Sequence, residues 1–229
     1  MPLAFKFTRA KETESQSPPS PGRTRRIVVI STLLWLLAVS IGLSFLWSYQ
    51  NRPGIGAEPP AQWPADSRIQ RAQDHDTLVM LVHPHCPCTR ASIGELALLM
   101  AHTEGRLTAY VLFLKPAGFS EDWEKTDLWQ SAAGIPGVTT LTDEEGAEAR
   151  RFHALTSGQT VLYDAEGRLL FRGGITASRG HAGDNSGRSA IVSLVNAGAA
   201  EQAETPVFGC PIFDENSDCR EPNHGKNKN

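Results

Sequence analysis

Two cysteines and two histidines lie within the run His-Pro-His-Cys-Pro-Cys, residues 83–88. The run follows a short apolar stretch, residues 77–82, that is typical of a buried strand, and it precedes a segment with helical spacing of apolar residues. A thiol at the start of a helix lies near unpaired backbone amides and the positive end of the helix dipole, which favour the thiolate. The run therefore predicts a reactive or metal-binding sulfur at Cys86 or Cys88.

The same side chains also suit a soft metal ion. Thiolates and imidazoles are ligands that Cu(I) and Zn(II) accept, so Cys86 and Cys88 with His83 and His85 form a candidate site. His181, in a glycine-rich loop, is a further candidate ligand. A pair of inert buried thiols is the remaining interpretation, and the position at a helix start argues against it.

The other two cysteines, Cys210 and Cys219, flank a short polar stretch near the C-terminus. We expect a local structural disulfide between them, which would stabilise this region by about 2 to 3 kcal/mol for a loop of that length. Alternatively, one of them exchanges with Cys86 or Cys88 and makes an internal electron relay. The acidic residues between them lack the glycine and closing glutamate of a calcium-binding loop and are expected to be solvated.

Residues 27–47 contain no ionisable side chain, and as a helix they would span about 30 Å, the thickness of the hydrocarbon core of a bilayer. Arg23, Arg25 and Arg26 precede this segment, whereas Arg52 alone lies close behind it. The positive-inside rule then leaves the N-terminus in the cytoplasm and exports the rest of the chain. A cleaved signal peptide is the alternative, although its apolar region usually has only about 7 to 15 residues.

Composition divides the chain into five parts. The net charge of −3 gives no electrostatic reason to expect nucleic acid as a partner. Prolines and polar residues predict a disordered tail and an extended linker on either side of the membrane segment. The predicted parts are a disordered cytoplasmic tail (1–26), a transmembrane helix (27–47), a proline-rich linker (48–66), a folded domain (67–199) and a polar C-terminal tail with the local disulfide (200–229).

Within the folded domain, strand-like and helix-like segments alternate. A helix is expected directly after the cysteine run. Further strands are predicted at residues 108–114 and 138–141 and in a hairpin of 160–163 and 168–171, and helices at 120–133, 143–153 and 186–197. This order predicts an α/β domain with a mixed central sheet and helices on both faces.

Two sequence motifs in this order resemble the thioredoxin-like superfamily, and in particular its membrane-anchored, exported thiol-disulfide oxidoreductases. One is the cysteine motif at the end of the first strand, and the other is residues 158–167, which resemble the family's Pro-Thr-strand-Asp-x-x-Gly signature. The resemblance covers residues 68–197. It implies a thioredoxin-like fold and disulfide exchange with exported partner proteins, without a cofactor.

The chain departs from that family at the site itself. Cys86 and Cys88 are separated by one residue instead of two, so a disulfide between them closes a very small and strained ring. If Cys86 matches the first family cysteine, Thr89 takes the place of the second; if Cys88 matches the second, His85 takes the place of the first. Gln159 stands where the family has a cis-proline, which normally shields the thiols from metal.

These residues define the expected mechanism. The Cys86 thiolate attacks a partner disulfide, Cys88 resolves the mixed disulfide, His83 and His85 tune the thiol, and Gln159 contacts the substrate.

Two other functions stay open. The first is a copper or other soft-metal chaperone that uses His83, His85, Cys86 and Cys88, with His181 as a distant ligand. The second is a thiol peroxidase in which the hydroxyl of Thr89 hydrogen-bonds the thiolate, although the proline-threonine motif that binds peroxide is absent.

Overall fold

A long apolar helix begins the part of the chain that the computed structural model describes, residues 21–213. Helix α1 spans Pro21–Gln50 and contains a window with a mean hydropathy of 2.4. It is long and apolar enough to cross a membrane, a property that signal sequences share. The predictions for residues 1–20 and 214–229 lie outside the described residues.

Helix α1 extends beyond both ends of the predicted membrane segment. Residues 21–26, predicted as part of a disordered tail, are helical in the structure. Pro21 suits the first helical position, and no further proline interrupts the chain before Pro53. The described chain divides into two compact units, residues 21–47 and residues 48–213, and the second contains Cys86, Cys88 and Cys210.

A five-stranded mixed sheet, ordered β3-β2-β1-β4-β5, forms the centre of the second unit. Strand β1 pairs in parallel with β2, β2 pairs in parallel with β3, and β4 runs antiparallel to both β1 and β5. Since β1 has a neighbour on each side and is covered on both faces, its sequence is an almost unbroken apolar run. The strands are β1 (Asp76–Val82), β2 (Leu107–Lys115), β3 (Val138–Glu144), β4 (Gln159–Tyr163) and β5 (Leu169–Gly173).

Four helices follow α1 and cover the sheet: α2 (Thr89–Thr103), α3 (Asp127–Ala133), α4 (Ala147–Arg151) and α5 (Ser186–Ala197). Helices α2, α3 and α5 pack on one face around Met80 and Val82 of β1. Helix α4 packs on the other face, where Phe152 joins a core with Leu81 and Tyr163. The predicted mixed sheet with helices on both faces is therefore confirmed.

The helix predicted at residues 120–133 begins only at Asp127. Residues 120–126 form successive turns instead, in which the amide of Trp123 donates to the carbonyl of Ser120 over 3.3 Å. Trp123 is buried, which fixes this segment against the cysteine motif in place of a regular helix. The prediction that this helix begins at residue 120 is therefore wrong.

The helix predicted at residues 143–153 is shorter, because β3 continues through Asp143 and pairs it with Leu114. The carboxylate of Asp143 nevertheless accepts hydrogen bonds from the amides of Glu148 and Ala149 at 2.8 and 2.9 Å. Asp143 thus satisfies amides at the start of α4, as expected of a capping residue.

Helix α2 is held in place by a buried carboxylate. Glu95 is 1% exposed, and its carboxylate pairs with Arg188 of α5. It also accepts hydrogen bonds from the Asn185 side-chain amide at 3.0 Å and the Gly183 backbone amide at 2.6 Å. A buried carboxylate with this many donors fixes α2 against the loop that precedes α5.

Two extended segments cross the edges of the domain. In the first, the predicted linker, Trp63 packs edge-on against Phe152 and Tyr163, with ring centroids 5.2 and 5.3 Å away. The second, residues 203–213, is named here the C-terminal strap. It pairs with β5 through Arg172, whose amide donates to Ala203 over 3.0 Å, and it contributes the buried Ile212 to the core.

Candidate functional site: three thiols at the start of helix α2

The cysteine motif forms the connection between β1, which ends at Val82, and α2, which begins at Thr89. The amide of Cys86 donates to the carbonyl of His83 at 3.1 Å, and the amide of Thr89 donates to the carbonyl of Cys86 at 3.0 Å. These successive turns place both motif cysteines at the N-terminal end of α2, as predicted from the sequence. Cys88 is the residue directly before the helix.

A third thiol, which comes from the C-terminal strap, joins the two of the motif. The Sγ atoms of Cys86 and Cys210 lie 3.0 Å apart, and all three cysteines in the described residues are free thiols. Cys86 is 2% exposed, whereas Cys88 and Cys210 are partly exposed. Cys88 lies close enough to both of the other thiols to affect their pKa values.

The cluster favours one negative charge, on Cys86. Hydrogen bonds from the thiols of Cys210 and Cys88 lower the pKa of Cys86, and they outweigh its burial, which raises the pKa. The same contacts with Cys86 and Cys88, together with burial, raise the pKa of Cys210. For Cys88, a hydrogen bond with Cys210 lowers the pKa, but the contact with Cys86 and burial raise it by more.

Both motif histidines lie against Trp123. The His85 ring centroid is 4.5 Å from that of Trp123, and the His83 centroid is 5.6 Å from it. His83 is buried, and burial lowers its pKa, which keeps the imidazole neutral at neutral pH. His85 is exposed. A role for the two histidines in tuning the thiol stays a prediction.

A chain of hydroxyls connects the motif to the loop before β4. The amide of His83 donates to Ser157 Oγ at 2.8 Å, Ser157 Oγ lies 3.0 Å from Thr89 Oγ1, and Thr89 Oγ1 donates to the carbonyl of His83 at 3.4 Å. The amide of Ser157 also donates to the carbonyl of Cys210 at 2.8 Å. Ser157 therefore contacts both the motif and the strap.

Gln159 is the first residue of β4, where it pairs with Leu81. It is 2% exposed, and its side-chain oxygen accepts a hydrogen bond from the amide of Leu155 at 3.4 Å. Gly158, immediately before it, adopts a φ of +89°, and a Cβ there would lie 3.1 Å from Ser92 Oγ of α2. The contact of Gln159 with substrate stays a prediction, and Gly158 is the residue that approaches the helix.

The second predicted group of residues is only partly within the described chain. Cys219 lies outside residues 21–213, so its disulfide with Cys210 stays a prediction. His181 is exposed, and its Nδ1 lies 2.9 Å from the carbonyl of Arg179. Within residues 21–213, no group of three or more histidine, cysteine, aspartate or glutamate side chains is arranged to hold a metal ion. The copper alternative stays a prediction.

Sequence reasoning missed three residues around the thiols: Ser157, Trp123 and Arg179. The positive charge of Arg179 acts on Cys88 and lowers its pKa, and its guanidinium donates to the carbonyl of Gly209, beside Cys210. Nothing in the local sequence distinguishes this arginine from other loop arginines. The glycine directly before Cys210 is a weak sequence signal for the strap. The structure gives the reason for it, because a Cβ at residue 209 would lie 1.9 Å from the carbonyl oxygen of Ser157.

The strand order, the cysteine motif between β1 and α2, and the antiparallel β4-β5 hairpin followed by α5 define a thioredoxin-like fold. The thioredoxin-like fold that the resemblance implied is confirmed. Helix α3, strand β3 and helix α4 lie between β2 and β4 along the chain.

Comparison with solved structures finds proteins of similar fold. An uncharacterized conserved protein from Geobacillus kaustophilus is 22% identical with a TM-score of 0.53, and the match covers 73% of this chain and 95% of that one. A hypothetical protein from Sinorhizobium meliloti is 21% identical with a TM-score of 0.52, over 70% of this chain and 93% of that one. Both likenesses concern the fold.

A weaker likeness links the chain to a secreted Mycobacterium tuberculosis disulfide oxidoreductase, with 15% identity and a TM-score of 0.38 over 55% of this chain and 83% of that one. Nothing about the activity of this chain follows from a likeness at that level. No family model and no curated protein matches the sequence.

Proposed function

We propose that the chain is a membrane-anchored thiol-disulfide oxidoreductase that acts on thiols or disulfides of exported partner proteins. The observation that carries the proposal is the Cys86 thiol at the start of α2, with a second thiol 3.0 Å away. A thiolate is the nucleophile of disulfide exchange, and a neighbouring thiol is needed to release the mixed disulfide that forms.

The electrostatics of the cluster supply that thiolate. Hydrogen bonds from Cys210 and Cys88 lower the pKa of Cys86, and the start of α2 adds the favourable end of a helix dipole. His83, whose pKa is lowered by burial, is neutral and adds no positive charge beside the thiolate. The Cys86 thiolate attacks one sulfur of a partner disulfide, the other partner sulfur leaves as a thiolate, and a neighbouring thiolate then attacks Cys86 and frees the partner.

The anchor and its flanking charges support an exported location. Helix α1 meets the length and apolarity required of a membrane span, and Arg23, Arg25 and Arg26 lie at its N-terminal end. With the N-terminus in the cytoplasm, residues 48–229 face the periplasm or the cell exterior. A thiol pair in that compartment closes unless a reductant acts on it.

A redox titration with a metal assay tests the proposal. The full-length chain in detergent micelles, purified without chelator, is equilibrated in glutathione buffers, its thiols are alkylated, and the disulfides are counted by mass spectrometry. We expect one pair that includes Cys86 to interconvert reversibly, and Cys86→Ser to abolish the reduction of a test protein disulfide. Cys219→Ser is the matched control and should keep this activity.

The opposite result would be thiols that stay reduced at every potential while the chain holds about one copper or zinc ion. That outcome would replace the oxidoreductase with the metal chaperone.

A further inference from the structure

We propose that Cys210 is the resolving thiol for Cys86, and that the C-terminal strap delivers it. This inference rests on the proposed function and names the second thiol of the same site. The Sγ atoms lie 3.0 Å apart although the two residues are 124 positions apart in the sequence. A small shift of either side chain brings the sulfurs to bonding distance.

The backbone on both sides of Cys210 is fixed. The carbonyl of Cys210 accepts from the amide of Ser157 at 2.8 Å, and the amide of Ile212 donates to the carbonyl of Leu155 at 2.9 Å. On the other side, the carbonyl of Gly209 accepts from Arg179. Because these bonds are made before any reaction, little conformational freedom is lost when Cys210 attacks Cys86.

Gly209 permits this close approach. A Cβ at residue 209 would lie 1.9 Å from the carbonyl oxygen of Ser157, a separation that no side chain tolerates. The strap therefore passes the loop before β4 at a distance that only glycine allows. The next residue is Cys210, so the same approach sets the position of its thiol.

The motif itself offers a poorer partner. Only Pro87 separates Cys86 from Cys88, and a disulfide across that spacing closes a small, strained ring. Thr89, at the next position along α2, is buried and carries a hydroxyl where a typical redox motif has its second thiol. The strap thus supplies a thiol that α2 lacks.

Burial of Cys86 gives Cys210 a second part in the reaction. Cys86 is 2% exposed, with the Cys210 thiol against it, so a protein disulfide reaches Cys86 after the Cys210 side chain rotates aside while its backbone stays in place. The Cys86 thiolate then displaces one partner thiolate and forms a mixed disulfide with the other partner sulfur. Cys86 no longer carries a negative charge in that mixed disulfide, so the Cys210 thiol loses its proton to the departing partner sulfur and attacks Cys86; the Cys86–Cys210 disulfide forms, and the second partner sulfur leaves. The partner disulfide gains two electrons, and the Cys86–Cys210 pair loses two.

Peptide mapping of the oxidised full-length chain in detergent micelles tests this pairing, with glutathione disulfide as oxidant. Trypsin releases residues 72–90, which hold both motif cysteines, and a protease that cuts after Glu204 and Glu215 separates Cys210 from Cys219. We expect a cross-link between peptides 72–90 and 205–215 in the wild-type chain, in Cys88→Ser and in Cys219→Ser. Since Cys88→Ser keeps a single motif thiol, its cross-link identifies Cys86.

Kinetics of glutathione release give the second readout. In Cys210→Ser, the glutathione adduct on Cys86 should leave at least about tenfold more slowly, because attack by free glutathione replaces an intramolecular step. Thermal unfolding of the reduced variant verifies that it folds, and Cys210→Ala repeats the test without a hydroxyl.

A cross-link within peptide 72–90, or between Cys210 and Cys219, with unchanged release in Cys210→Ser would overturn the inference and leave the proposed function in place. A wild-type chain in which glutathione disulfide oxidises no thiol would overturn the proposed function itself.

Discussion

Residues 83–89 and the C-terminal strap each bring a cysteine to the same place by different means. The motif is a junction between the central strand and a buried helix, so its position follows from the strongest part of the fold. The strap has no regular secondary structure and depends on a few backbone hydrogen bonds and on two buried apolar side chains, Val207 and Ile212. The pairing of thiols is therefore open to disruption from the strap alone, with the sheet left intact.

The largest effect on the rate of Cys86–Cys210 disulfide formation is expected from adding a side chain at Gly209, where the strap passes the carbonyl of Ser157. In Gly209→Ala, the new Cβ would clash with the carbonyl oxygen of Ser157, and the strap must move away. A displacement of about 1 Å costs on the order of a hundredfold in the rate of a well-oriented intramolecular reaction. We expect such a fall in the rate of Cys86–Cys210 disulfide formation, measured by quenched alkylation and mass spectrometry.

Gly56→Ala is the control for this variant, because a Cβ at residue 56 meets no heavy atom within 4 Å. Equal rates in the two variants would mean that the strap does not position Cys210.

A core substitution in the strap should reduce stability. Ile212 is 3% exposed and packs in the core that contains Phe152 and Tyr163. Truncation of a buried isoleucine to alanine costs about 2 to 5 kcal/mol. We expect Ile212→Ala to lower the thermal midpoint of the reduced chain by about 5 °C or more.

Ile55, which is 62% exposed, gives the matched comparison, and Ile55→Ala should stay close to wild type. If Ile212→Ala unfolds at the wild-type temperature, the strap is not part of the cooperative fold.

The thiolate of Cys86 offers a finer comparison of motif and strap. The hydrogen bond from Cys210 is the largest cause of its lowered pKa, followed by the one from Cys88. Removing a donor destabilises the thiolate, so the pKa of Cys86 should rise in Cys210→Ala and rise less in Cys88→Ala. Ultraviolet absorbance of the thiolate against pH measures both shifts, and the reverse ranking would place the stronger donor in the motif.

The lowered pKa also predicts the sign of a pH effect on stability. The native state holds the Cys86 proton less tightly than the unfolded chain does, so folding favours the thiolate. The resulting stabilisation is present above the pKa of the unfolded thiol, and it is lost as the pH falls through the lower pKa of the native thiol. In Cys86→Ser this dependence should disappear from the thermal midpoint of the reduced chain.

The smallest effect is expected at Arg179, whose charge lowers the pKa of Cys88. Arg179→Gln should raise that pKa and slow alkylation of Cys88 near neutral pH by a few-fold, an effect that added salt reduces. Arg179→Lys keeps the charge and should alkylate at close to the wild-type rate. If the lysine and glutamine variants slow equally, the bond to the carbonyl of Gly209 matters more than the charge.

Part of the site could be predicted because its determinants are local. The apolar run of β1 and the residues after it fix Cys86 and Cys88 at the start of a helix, and hydrophobic periodicity predicts most strands. The turn 120–126 was missed because its conformation depends on burial of Trp123 against the motif, which is a tertiary contact.

The sequence by itself determined the mixed sheet, the position of the cysteine motif and the apolar helix. Each of these depends on neighbouring residues and on the periodic spacing of apolar residues. The tertiary structure decided which thiol meets Cys86 and which cation lies near Cys88. These interactions link Cys210 and Arg179 to the motif across long stretches of chain, and Cys210 reaches the motif in the strap that buries Ile212. Spacing along a chain does not encode such contacts, because the packing of the whole domain sets the distance between two residues that are far apart in the sequence.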